Sequence, residues 1–135
     1  MTICAHCSFG EVHDGSMLPS PLGDVVSECW NSLPTHYVNL TLDAFVVMPN
    51  HIHGILILDV GAGFKPAHGP PEIIRALKTF SARRINALRG TPGQPVWQRN
   101  YYERIIRDER ELNETRHYIE DNPAHWDTDP EQGRV

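Results

Sequence analysis

The chain has 135 residues, the length of one domain. Hydrophobic residues make up 40% of it and charged residues 21%, which excludes wholesale disorder. The net charge of −5 would by itself argue against a nucleic-acid partner, but the charges are segregated. Residues 1–64 hold no Lys or Arg, residues 65–107 carry a local balance of +7, and residues 108–135 carry −6.

In chain order, Met1–Cys7 reads as a short strand and Gly10–Pro21 as a loop rich in Gly, Ser and Pro. Leu22, Val25, Val26, Cys29, Trp30 and Leu33 are spaced by three and four, which predicts an amphipathic helix ended by Pro34. Tyr37–Met48 and His51–Val60 read as two strands joined at Pro49-Asn50, hence a hairpin. Gly61–Pro71 is a loop. Glu72–Arg89 is a second helix, with Ile73, Leu77, Phe80 and Leu88 on one stripe, Ile74 and Ile85 beside it, and Gly90-Thr91-Pro92-Gly93 at its end. Val96–Ile106 reads as a last strand, irregular around Arg99-Asn100. Asp108 suits an N-cap and Glu111 completes a capping-box pattern for a third helix, about Glu109–Asp121, which Asn122-Pro123 should stop.

The order β-α-β-β-α-β-α predicts an α+β fold: a ferredoxin-like, split βαβ antiparallel sheet with an extra C-terminal helix. Residues 1–126 are expected to form the domain and 127–135 a short acidic tail. No apolar run approaches the roughly 18 residues of a membrane span. No secretory signal pattern is present, and three cysteines make no disulfide framework. The expected compartment is reducing cytoplasm, with no membrane contact.

His51-Ile52-His53 is the sharpest chemical feature. On a strand, residues i and i+2 share a face, so both imidazoles project together and can share one metal ion. Both faces of this strand are apolar, so both need cover. The first two helices take one face in such a fold. The third helix must then pack near the histidines, unless a partner subunit does. That helix carries Tyr118 and, four residues on, Asn122, whose amide oxygen is a hard neutral ligand. Two imidazoles and one amide oxygen would leave positions open for substrate oxygens, which suits Lewis-acid catalysis better than a closed structural site. Taken alone, a His-x-His pair on most strands means two partly buried histidines. Cys4-Ala-His-Cys7 has no second pair and makes a poor zinc site. Arg75, Lys78, Arg83, Arg84 and Arg89 form either a solvated helix face or a phosphate-facing one.

The run Phe45-Val-Val-Met-Pro-Asn-His-Ile-His-Gly54 resembles the HUH motif of single-tyrosine HUH-endonuclease transposases, most nearly the REP-associated tyrosine transposase branch. Pro95–Asp108 resembles the last-strand signature of that branch, and Tyr118-Ile-Glu-Asp-Asn-Pro123 its Tyr-Ile-x-x-Asn-Pro motif. Three motifs in order cover nearly the whole chain, about Thr2–Trp126. Family members usually carry residues ahead of the first strand, which here is expected to begin at Met1.

The resemblance implies metal-dependent nicking and strand transfer of single-stranded DNA beside a hairpin. It implies Mg²⁺ or Mn²⁺ on His51 and His53, with Asn122 as third ligand. It implies Tyr118 as the nucleophile, forming a 5′-phosphotyrosine. Under it, Arg75, Lys78, Arg83, Arg84, Arg89, Arg99 and Arg104 are the expected DNA contacts, and a homodimer stays open. The alternative is a non-catalytic single-stranded nucleic-acid binding module derived from such an enzyme. A small metal hydrolase with no covalent step is a third reading.

Overall fold

The computed structural model describes residues 1–59 and 69–128. Three strands form an antiparallel sheet in the order β1 (Thr2–Cys4), β5 (His51–Leu58), β4 (Leu40–Met48). Between β1 and α1 (Pro21–His36) lies a two-stranded hairpin, β2 (Gly10–His13) and β3 (Ser16–Pro19). Helices α2 (Pro70–Arg89) and α3 (Glu109–Glu120) follow, then a 3-10 turn at Pro123–Thr128. Among the described residues no helix is long and apolar enough to cross a membrane.

The last predicted strand is not a regular strand. Residues 96–102 run along the outer edge of β1 with two isolated bridges, Ala5 to Trp97 and Thr2 to Tyr102. Four backbone bonds of 2.7–2.9 Å support them: His6 to Val96, Gln98 to Cys4, and the reciprocal pair between Thr2 and Tyr102. Stepping from Ala5 to Thr2 takes three residues on β1 but five on the segment, from Trp97 to Tyr102. The two extra residues lie around Arg99-Asn100, where the pairing breaks. With this segment beyond β1, the spatial order is that of a ferredoxin-like sheet, with β1 and β5 central.

Register assigns the two faces. Ile52, Gly54 and Leu56 of β5 share a face with Ile3, Val47 and Phe45, their cross-strand partners or neighbours. Helices α1 and α2 cover that face. Trp30 stacks on Phe45 with ring centroids 4.4 Å apart, and Val26, Leu33, Ile73, Ile74, Leu77 and Ile85 complete the core. Gly54 admits the Trp30 ring: a Cβ there would lie 2.5 Å from it. The other face carries His51, His53 and Ile55, with Thr2 and Cys4 of β1 and Val46 and Met48 of β4. Helix α3 packs on this face.

Three local expectations are corrected. Gly10–Pro21 is not a loop: Asp14 (φ 50°) and Gly15 (φ 75°) form the two-residue turn of the β2–β3 hairpin. Pro34 does not end α1, which continues to His36; in the last turn a proline removes only one helical hydrogen bond. On α2 the buried stripe runs through Ile73, Ile74, Leu77, Ser81 and Ile85, whereas Phe80 and Leu88 are exposed and Phe80 lies on the ring of His36. The predicted end of the β5 strand at Val60, most of the 61–71 loop and nearly all of the acidic tail lie outside the described residues.

Candidate functional site

His51 and His53 project from the start of β5, on the face away from α1 and α2, and both are buried. Their Nε2 atoms are 2.9 Å apart. Each Nδ1 has its own partner. Asn50 Oδ1 accepts from His51 Nδ1 at 2.7 Å, and Thr2 Oγ1 lies 2.7 Å from His53 Nδ1. Because an amide oxygen only accepts, the His51 proton sits on Nδ1 and its Nε2 presents a lone pair. The Thr2 hydroxyl can donate or accept. Burial pushes the His53 imidazole down to about 3, with the neighbouring His51 and the N-terminal amine adding to the effect, so His53 is neutral at pH 7.

Helix α3 brings Tyr118 to this pair. Asp108 caps the helix by accepting from Glu111 N–H at 2.8 Å, and Glu111 Oε2 accepts from Arg107 N–H at 2.8 Å. The expected capping box is therefore present with its return bond shifted by one residue. The Tyr118 ring meets the His53 ring edge-on, centroids 5.4 Å apart, while half of the residue stays exposed. Past the helix end, Trp126 lies against His51 with centroids 6.1 Å apart. Asn122 is 2% exposed, and its Oδ1 is buried with no hydrogen-bond partner among the described residues.

The spacing of the two histidine nitrogens fits a divalent cation. Two ligands adjacent on an octahedral ion with bonds of about 2.1 Å stand about 3.0 Å apart, close to the separation of the two Nε2 atoms. An orphaned buried amide oxygen is costly unless something binds it. Among the described residues no three His, Cys, Asp or Glu side chains cluster for a metal. Cys4, the cross-strand partner of His51, is a buried thiol in no disulfide.

The seven basic residues singled out by sequence divide. On α2, Arg84 pairs with Glu28 of α1, Lys78 Nζ donates to the backbone oxygens of Gln98 and Arg99 at 3.1 and 3.3 Å, and Arg89 donates to Asn86 Oδ1. Arg75 and Arg83 are exposed on the same helix. Arg99 is exposed, and Arg104 is mostly exposed and paired with Glu111. Helix α2 covers the face opposite His51, whereas Arg104 is paired to α3 on the histidine side and the backbone of Arg99 lies against Lys78 of α2. Sequence reasoning missed Thr2, Asn50, Trp126 and an ion pair between Arg116 and Asp43. Asn50 entered only as a turn residue, not as a histidine partner.

Comparison with known proteins identifies the family and the fold. Residues 22–122 match the family described as "Transposase IS200 like". An uncharacterised protein of Haemophilus influenzae is 35% identical over 146 residues, spanning 96% of this chain and 81% of its own. The structure of a REP-associated tyrosine transposase bound to a REP hairpin superposes with a TM-score of 0.66 at 18% identity, over 93% of this chain. This chain spans 65% of that one. A crystal structure described as a putative transposase from Deinococcus radiodurans matches with a TM-score of 0.54 at 24% identity, covering 88% of this chain and 85% of its own. The ferredoxin-like fold is thus shared, and the chain belongs to the IS200-like, single-tyrosine transposases.

Proposed function

We propose that the protein nicks and rejoins single-stranded DNA beside a hairpin, through a covalent bond to Tyr118 and with a divalent cation, Mg²⁺ or Mn²⁺, on His51, His53 and Asn122. The observation that carries this reading is the placement of an accessible tyrosine against a buried histidine pair whose Nε2 atoms converge at 2.9 Å. Both the pair and the tyrosine come from one chain.

The Tyr118 Oη attacks the phosphorus, the bond from phosphorus to the 3′-oxygen breaks, and the DNA 5′ end stays on the protein as a phosphotyrosine. The leaving 3′-oxygen takes up a proton and the phenol loses one. Phenols ionise near pH 10, so phenolate is a workable leaving group for the reverse attack by a 3′-hydroxyl. This reversibility suits strand transfer. A cation on the three donors would neutralise charge building on the phosphoryl oxygens. His51, held by Asn50, and His53, held by Thr2, fix the donor atoms in place before substrate arrives. Tyr118, half in solvent, stays open to an incoming strand.

Incubation with a hairpin-bearing single-stranded oligonucleotide and Mn²⁺, followed by a denaturing gel, should reveal a covalent protein–DNA adduct. Tyr118→Phe should eliminate it, and His51→Ala or His53→Ala should reduce it by at least about a hundredfold. Peptide mapping should place the DNA between Arg116 and Arg134. An adduct that persists in Tyr118→Phe, or that maps to the peptide holding Tyr101 and Tyr102, refutes the assignment.

A further inference from the structure

Strand β4 carries a bulge whose purpose the fold alone does not explain. Leu42 pairs with Leu56 and Phe45 with Gly54, so two residues of β4, Asp43 and Ala44, stand opposite the single residue Ile55. Ile55 belongs to the histidine face. The bulge therefore turns Asp43 toward α3. Ala44 N–H bonds Asp43 Oδ1 at 2.7 Å, which steadies the carboxylate within the bulge. Arg116 of α3 then grips it with two bonds: Nε to Oδ1 at 2.8 Å and Nη2 to Oδ2 at 2.6 Å. The Asp43 side chain is 14% exposed, and this grip, ahead of the Ala44 amide, holds its carboxyl below the ordinary range.

Helix α3 needs such a grip. Ile119 is its one buried residue among those described. One fully buried side chain, with Leu112 and Thr115 half-buried beside it, fixes where the helix sits but gives weak resistance to roll about its own axis. At about 100° per residue, Arg116 and Tyr118 project about 160° apart around the helix, on opposite flanks of Ile119. Arg116 is tied down at β4 on one flank, and Tyr118 meets His53 on the other. Any roll that lifted Tyr118 from the histidines would displace Arg116 toward the sheet and distort both bonds of the ion pair.

We propose that Asp43 and Arg116 form a latch that sets the roll of α3 and thereby holds Tyr118 against His53, both acting as positioning residues. The latch rests on the reading of Tyr118 as the nucleophile. A bidentate guanidinium–carboxylate pair has the fixed planar geometry the task requires, whereas a lysine would supply charge without direction.

Two measurements test it. Hydrogen exchange read by mass spectrometry reports on α3 with no DNA or metal present. Arg116→Gln and Asp43→Asn should each speed exchange across residues 109–120 by about tenfold and leave β1 and β5 unchanged. The double variant should be no faster than either single, because both remove the same bond set. In adduct assays the single variants should lose about tenfold to a hundredfold in rate at saturating DNA, with DNA affinity and Mn²⁺ affinity within about twofold of wild type. Arg116→Lys should recover only part of that rate. Unchanged α3 exchange in both single variants, or a loss expressed wholly in DNA affinity, overturns the latch. A wild-type protein that forms no adduct refutes the nicking reading instead, and the exchange experiment still decides the latch.

Discussion

Two imidazoles serve one cation only if both Nε2 atoms present lone pairs, so the proton on each ring must sit on Nδ1. Asn50 Oδ1, an acceptor, imposes that tautomer on His51. The Thr2 hydroxyl is more permissive: it can donate to His53 Nδ1 while His53 Nε2–H points at His51, or accept from Nδ1 once Nε2 is engaged by a metal. Thr2→Val keeps the β-branched shape and deletes the partner. It should weaken Mn²⁺ binding by about tenfold to a hundredfold, while Thr2→Ser stays near wild type. Calorimetric titration of the DNA-free protein measures this, and equal affinities in Thr2→Val would remove Thr2 from the site. The histidine pair was legible because its logic is local, two residues apart on one strand. Thr2 was not, because its place beside His53 is set by the pairing of β1 with β5, a contact between residues about fifty positions apart.

Elements whose signals lie within one stretch of chain were readable, and those that depend on distant pairing were not. The helices followed from apolar spacing and end signals: Asp108 accepts from Glu111 N–H, and Gly90 takes the left-handed conformation at φ 68°, whereas the Ser20 cap of α1, accepting from Gly23 N–H, went unread inside the supposed loop. The β2–β3 hairpin was lost behind a composition rich in Gly, Ser and Pro, although Asp14-Gly15 is itself a hairpin-turn signature. The bulge at Asp43 leaves no trace in a run as strand-like as Leu40–Met48. The hairpin matters to the site through its tip: a Cβ on Gly15 would lie 3.5 Å from Ala124, in the 3-10 turn that carries Trp126 to His51. Gly15→Ala fits that space but must hold φ 75°, a left-handed conformation that costs a residue with a Cβ about 1–2 kcal/mol. The urea unfolding midpoint should fall accordingly with the slope unchanged. A variant as stable as wild type would show that the turn relaxes to another type.

Across the whole molecule the charge pattern acquires a geometry that net charge conceals. The basic middle of the chain splits: α2 backs the core, while the 96–102 segment runs along the edge of β1 and Arg104 beyond it pairs with α3 on the histidine side. Tyr102 pairs with Thr2, whose side chain in turn bonds His53, so this segment is the first basic stretch a strand crossing the proposed site would meet. Arg99 is exposed there, and the exposed Arg104–Glu111 pair is of the kind that contributes little to stability, leaving Arg104 free to exchange its partner for a phosphate. Single-stranded binding weakens with salt at a log–log slope of about −0.7 per neutralised phosphate. Replacing Arg99 and Arg104 together with Gln should therefore flatten the slope by about 1.4 for a short unstructured strand. Replacing Arg75 and Arg83, on the far face, should leave that slope unchanged and flatten it only when the DNA carries a hairpin long enough to reach around the sheet. If the far-face pair alone alters the slope for the short strand, the DNA runs over α2 and not over the histidine face, and the proposed path is wrong.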